Sequence, residues 1–163
     1  MPATYEKIAT TTLGSTNSTI TFNSISSSFT DLRIVLTCAS TAGSNINLQF
    51  NGDTSALYSR TIITGDGSSA SSVRATGDNR IYLGYSYGST NYMNILIDVF
   101  SYAGSTFKTC LSNASSDNNG TGLVQNGVGL YRSTTAISSL SLLNQSSTFT
   151  VGTTATLYGI LKA

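Results

Sequence analysis

The sequence predicts an all-β fold: a single antiparallel two-sheet sandwich, jelly-roll-like, with an immunoglobulin-like sandwich as the alternative. Three observations predict it. Apolar and polar residues alternate along most of the chain, and no stretch carries the spacing of an amphipathic helix. Turn residues interrupt the alternation about every 8–15 residues, the rhythm of short antiparallel strands. Ser and Thr supply about a third of the chain while only 9% is charged, a composition suited to pleated, half-solvated surfaces.

The first strand is predicted over Thr4–Leu13, ended by a turn at Gly14–Asn17. Ser18–Phe22 follows as a short strand with Ile20 and Phe22 on one face. Asp31–Cys38 is the clearest strand of the N-terminal half. Leu32, Ile34, Leu36 and Cys38 share a face, and Val35 on the other suggests cover on both sides. Thr41–Asn45 reads as a loop and Ile46–Phe50 as a strand, closed by the Asn51-Gly52-Asp53 turn. Leu57–Thr64 resumes β character. Gly65–Asp78 is polar and rich in Gly and Ser, and reads as one long loop of the functional or mobile sort. Arg80–Tyr85 is a strand. After the Gly88-Ser89-Thr90 turn, Tyr92–Phe100 sets Met93, Ile95, Ile97 and Val99 on one face and Leu96 and Phe100 on the other, as a central strand would. Thr106–Ser112, with Phe107, Thr109 and Leu111 on one face, precedes a polar loop at Asn113–Gly122. Leu123–Tyr131 is Gly-rich, which suggests a bulge. Ala136–Leu143 and Thr148–Leu161 complete about nine or ten strands. They form one domain over residues 1–163, without linker or internal repeat.

The totals exclude several function classes. The chain has no histidine, so the side chain that most often moves protons or binds transition metals at neutral pH is missing. Net charge is +1, and the eight basic residues (Lys7, Arg33, Arg60, Arg74, Arg80, Lys108, Arg132, Lys162) are scattered singly. A nucleic-acid face needs them clustered, so no nucleic-acid partner is expected. Near-neutrality opposes association only weakly, which suits a subunit of an assembly. The one proline is Pro2, and the charge is too low for a disordered chain. Met1 to Lys7 lacks the apolar stretch of a signal peptide, and no apolar run is long enough to span a bilayer. The expectation is synthesis in a cytosol and no membrane partner. Cys38 and Cys110 lie in apolar-patterned runs and read as buried thiols, with a disulfide left open should their strands be adjacent.

Candidate chemistry is thin. Two separated cysteines cannot make a zinc site, and no Asp cluster matches a calcium loop, so neither metal nor cofactor is expected. No G-x-S-x-G elbow is present, and nothing singles out Lys7, Lys108 or Lys162 as a partner for a nucleophilic serine. The seven acids sit mostly in turn-like contexts, which explains them without a glycosidase pair. The chain is therefore not expected to be an enzyme. The candidate interface is aromatic: Tyr82, Tyr85, Tyr87, Tyr92 and Tyr102 gather in a stretch rich in Gly and Ser. Tyrosine offers large, rigid, amphipathic contact area, and strand-edge packing would explain the same residues.

An ordered set of motifs resembles a known family. It comprises Tyr5, Ile8, Thr11 and Leu13-Gly14 at the start, and Phe50-Asn51-Gly52-Asp53-Thr54-Ser55-Ala56-Leu57-Tyr58-Ser59 before the Gly/Ser-rich stretch. Ser101-Tyr102-Ala103-Gly104-Ser105-Thr106, Thr135-Ala136-Ile137-Ser138-Ser139-Leu140 and the closing Leu157-Tyr158-Gly159-Ile160 continue it. Together these resemble the small β-sandwich virion structural proteins of tailed bacteriophages, those of cyanobacteria and marine bacteria in particular. The resemblance implies a virion protein without catalytic residues. The expected function is that of a capsid decoration (cement) protein. It would bind the major capsid protein on the outer shell as a homo-oligomer, a trimer, with Tyr5, Tyr82, Tyr85, Tyr87 and Tyr92 at its interfaces. The alternative is the receptor- or glycan-binding head of a tail or head fibre, with Arg60, Arg74 and Arg80 reaching sugar oxygens.

Overall fold

The computed structural model describes residues 4–161, so Pro2, Lys162 and the outermost residues of the predicted domain lie outside the described residues. Twelve strands and no helix make up the described chain. They are β1 (Tyr5–Thr12), β2 (Thr19–Phe22), β3 (Asp31–Cys38), β4 (Ser44–Phe50), β5 (Tyr58–Gly65), β6 (Ala70–Asp78), β7 (Ile81–Ser86), β8 (Met93–Val99), β9 (Lys108–Asp117), β10 (Gly122–Tyr131), β11 (Leu140–Asn144) and β12 (Thr154–Ile160). Every pairing is antiparallel.

Eight of these strands form the roll. β1-β12-β3-β8 lie side by side in one layer and β2-β11-β4-β7 in the other. Following the chain, β1 to β2, β3 to β4, β7 to β8 and β11 to β12 each cross between layers. That wrapping is a jelly roll. An immunoglobulin-like sandwich would keep its first two strands, and its last two, together in one sheet; here both pairs are split. Two hairpins then extend the larger sheet. β5–β6, inserted between β4 and β7, and β9–β10, inserted between β8 and β11, continue past β8 in the order β9-β10-β5-β6. The larger sheet thereby reaches eight strands against four.

Burial follows the strand period. On β3 the face of Leu32, Ile34, Leu36 and Cys38 is wholly buried, and Met93, Ile95, Ile97 and Val99 of β8 meet it from the neighbouring strand. Ile46, Leu48 and Phe50 of β4, with Leu140 and Leu142 of β11, close the core from the opposite layer. Full burial of such side chains stabilises the fold by about 1.5–3 kcal/mol each. Phe50, Tyr58 and Tyr131 form an aromatic stack at one end, with Tyr58 and Tyr131 centroids 4.6 Å apart. The Tyr58 hydroxyl is buried and bonded to the Phe50 backbone. Its titration is pushed well up, chiefly by that burial.

The extension curls back under the small sheet, and β7 packs against β5, β9 and β10. The approach is close enough to require glycine. A Cβ on Gly129 would lie 2.7 Å from Ile81 Cγ2 and 2.8 Å from Cys110 Sγ. The glycines of β10 therefore admit a neighbouring layer, and β10 pairs with β5 and β9 without the predicted bulge.

Other expectations are corrected too. The segment 65–78 is not one long loop: β6 occupies most of it, hydrogen-bonded to β5 around a tight turn held by Asp66. Nor is 113–122 a loop, because β9 runs on to Asp117 and β10 begins at Gly122. The last two strands are shorter than predicted, starting at Leu140 and Thr154. A Cys38–Cys110 disulfide is ruled out by register. Cys38 pairs with Met93 and Cys110 with Val99, at opposite ends of β8, about 20 Å apart along the strand. Both thiols are free and buried, and burial pushes each up to about 12.

Lys108 is an unusual core member, fully buried. Its ammonium donates to the carbonyl oxygens of Gly104 (2.6 Å), Thr106 (2.6 Å) and Ser133 (3.3 Å) and forms no ion pair among the described residues. Burial lowers its pKa. Three carbonyls replacing water keep the cation satisfied, and they tie the 101–107 loop to the segment after β10.

Candidate interaction surface

The outer face of the eight-stranded sheet carries no covering layer. Cross-strand register places its side chains in rows. One row reads Thr10, Thr156, Val35, Leu96, Asn113, Asn126, Ile63 and Ser72 from β1 to β6. The next reads Lys7, Tyr158, Arg33, Asp98, Leu111, Val128, Thr61 and Arg74.

The two halves of this face differ. Across β1, β12 and β3 it is hydroxyl-rich, with Thr10–Thr156 and Thr12–Thr154 side-chain bonds of 3.1 and 3.2 Å. Across β8, β9, β10 and β5 a run of apolar side chains crosses it among polar ones. Leu96, Leu111, Val128, Ile63 and Val124 zigzag from strand to strand and stay 46%, 47%, 42%, 60% and 54% exposed. Asn113 and Asn126 sit within the zigzag and satisfy each other at 2.8 Å. Single exposed apolar residues are ordinary, but a contiguous run marks a contact surface.

One ion pair sits at the middle of this face, while Lys7 and Arg74 at its two ends are exposed and form no ion pair among the described residues. Arg33 Nε and Nη2 donate to the two Asp98 oxygens at 2.6 and 2.7 Å, while Nη1 donates to the Tyr5 hydroxyl at 3.0 Å. The bond to Asp98 raises the Arg33 pKa, so the guanidinium stays charged at any relevant pH. A shallow hollow of about 390 Å³ lies beside this pair, lined by Leu96, Leu111, Asn113 and Asn126.

The five tyrosines named from the sequence fall in three places. Tyr82, Tyr85 and Tyr87 stay together on and just beyond β7, half-buried. Tyr82 lies under the Arg60 guanidinium, 5.7 Å from its ring centre, and donates to Gln125 Oε1 at 3.3 Å. Tyr85 and Tyr87 meet edge to face at 5.3 Å. Tyr92 is separate, at the start of β8, with its ring 46% exposed. Tyr5 is on the outermost strand at the other edge, beneath Arg33 at 5.5 Å. Tyr102, grouped with them by sequence, is fully buried and donates to the Ser26 carbonyl.

The arginines are also accounted for in part. Arg60 is paired with Asp78, so the polar hollow beside it, lined by Asn45, Asn47, Arg80 and Gln145, offers an already neutralised guanidinium. The apolar zigzag was missed in the sequence, because only the register of four strands brings its members together. Two of its members did show there, Leu96 set with Phe100 on the second face of its strand and Leu111 on a common face with Phe107 and Thr109.

Two aspartates, Asp66 and Asp117, line a hollow of about 590 Å³. Backbone N–H groups of Ser68 and Ser69, with both their hydroxyls, bond the Asp66 carboxylate and hold it far below the ordinary carboxylate range. A glycosidase's general acid is shifted the other way, so Asp66 does not have the environment of one. Among the described residues no group of three or more His, Cys, Asp or Glu side chains is placed to hold a metal ion. No helix is long and apolar enough to cross a membrane. No protein-family model and no curated protein sequence matches the chain.

Proposed function

We propose that this protein is a virion structural protein of a tailed bacteriophage, a capsid decoration protein that binds the outer shell as an oligomer and stabilises it. The observation that carries the reading is the uncovered face of the large sheet: an apolar zigzag of five residues beside an internally paired Arg33–Asp98 bridge. Covering Arg33 and Asp98 as a bonded pair costs less than covering two unpaired charges, and the unpaired Lys7 and Arg74 lie at the rim of the face. Its dimensions suit a protein partner. Seven inter-strand gaps of about 4.8 Å and strands about 25 Å long give on the order of 800 Å², the per-partner area of a standard stable interface. The phage assignment rests on the resemblance carried by motifs that include Phe50–Ser59, Ser101–Thr106 and Leu157–Ile160, and the jelly-roll order is in keeping with it.

The mechanism is mass action on a folded lattice. Each subunit binds the assembled shell and not its separated parts, so binding raises the free-energy cost of taking the shell apart. Oligomeric attachment multiplies weak contacts through effective concentration. The test is heat release of DNA from particles made with and without the protein. Particles without it should open at lower temperature and recover on adding purified protein back. Equal heat tolerance in both preparations would overturn the proposal.

A further inference from the structure

The 590 Å³ hollow lies at the end of the large sheet, between the tight turns that close β5–β6 and β9–β10. Missing side chains create it. Gly65, Gly67, Gly120 and Gly122 line it, and a Cβ placed on Gly65 would meet nothing within 4 Å. Gly65 pairs with Val124 and so faces the outer side of the sheet with it. Its backbone is not in the left-handed region, so glycine is not demanded there by conformation.

Tyr92 forms one wall. Its hydroxyl donates to the Val151 carbonyl at 3.4 Å, and the preceding Asn91 side chain donates to Asn118 in the opposite turn. The ring is thus held at both ends while 46% of the residue stays exposed. The polar groups around it are only half used. Asn94 Oδ1 accepts from Thr37, and Asp117 Oδ1 accepts from the Asn119 backbone. Asn94 Nδ2, Asp117 Oδ2 and the hydroxyls of Ser115 and Thr121 have no partner among the described residues. No Lys or Arg lines the site.

We propose that this hollow binds a neutral saccharide. An exposed, pinned aromatic face suits the C–H face of a sugar ring. A carboxylate acceptor, an amide donor and two hydroxyls match a row of sugar hydroxyls, each of which both donates and accepts. Asp66 and Asp117 without a counter-charge repel phosphorylated, sulfated and acidic sugars. The volume falls within the usual range for small-ligand sites, about 300–1,000 Å³. The site is separate from the apolar zigzag's centre and does not depend on shell binding.

The test uses the isotope-labelled protein and amide NMR, titrated with maltotriose, cellotriose and mannotriose, and with sialyllactose as the acidic comparator. At least one neutral sugar should shift the Tyr92, Asn94, Ser115, Asp117 and Thr121 amides, and sialyllactose should not. Tyr92→Ala removes the stacking wall, and Gly65→Leu projects a side chain into the hollow from a Cβ that meets nothing within 4 Å. Each should weaken binding about tenfold or more while leaving the melting temperature in place. Unmoved amides with all three neutral sugars, or undiminished affinity in Gly65→Leu, would overturn the proposal.

Discussion

Leu111 and Val128 face each other across β9 and β10 at the middle of the uncovered sheet face. Replacing both by serine tests whether this face docks. Each residue keeps a little under half of its area exposed, 47% and 42%. Full burial of such a side chain is worth about 1.5–3 kcal/mol, so covering the remaining half contributes about 1 kcal/mol per residue. The double variant should therefore lose about 2 kcal/mol per subunit, roughly 30-fold in the dissociation constant. Oligomeric attachment would enlarge the deficit. By the same measure the covered half of each side chain stabilises the free protein, so the double variant should also melt lower, by about 1 kcal/mol per residue, and is assayed at a temperature where it remains folded. The assay is co-sedimentation of purified protein with shells assembled without it, alongside a thermal melt of the free protein. Superimposable binding curves for wild type and variant would refute the reasoning. So would a variant that binds poorly only because its melt has collapsed.

Four further outcomes follow from the fold. Lys108→Met should destabilise by about 2 kcal/mol in a denaturant titration, since three carbonyls lose a charged donor at once. Gly159→Ala should destabilise by about 1–3 kcal/mol, because a Cβ there lies 2.3 Å from the Phe29 ring that covers it. Asp53, bonded by Ser55 and by Tyr131 at 2.7 Å, is held below the ordinary carboxylate range. Its contribution is complete above the unfolded value of about 3.9 and disappears as pH falls through the folded one, so stability should drop on the acid side and less steeply in Asp53→Asn. With no histidine in the chain, the same curve should be nearly flat between about pH 5 and 8. Native Cys38 and Cys110 should resist thiol reagents, and a reductant should leave the melting temperature unchanged; rapid labelling without unfolding would contradict their burial.

What the sequence disclosed followed burial. β3 was legible to the residue because four aliphatic or thiol side chains alternate over a fully buried face. β8 was bracketed within a residue at each end for the same reason. β6 was illegible because it is an edge strand with hardly any covered side chain, so Ala70–Asp78 carries no apolar period at all. The second half of β9 was missed for a different cause. Its inward positions are Ser112, Ala114 and Ser116, small residues that fit beneath the curled extension, and small polar residues read as loop. The glycines of β10 drew the wrong explanation, since close approach of Ile81 and local backbone distortion leave the same mark in a sequence. For the interaction surface, the tyrosines were visible as a group by chain proximity. The topology separates Tyr5 and Tyr92 from the rest and buries Tyr102.

The pairing of β1 with β12, and of β2 with β11, sets an order of events during synthesis. A nascent chain that has just emerged as far as β10 already holds its central β3–β8–β9–β10–β5–β6 ladder. Its first two strands still have nothing to bond, and their hydroxyl and aliphatic faces must wait in water or against a chaperone. Closure comes only when β11 and β12 clear the ribosome, a late long-range step that makes slow folding the expectation. Removing β12 should therefore strip the opposite end of the chain of its place in the sheet as well.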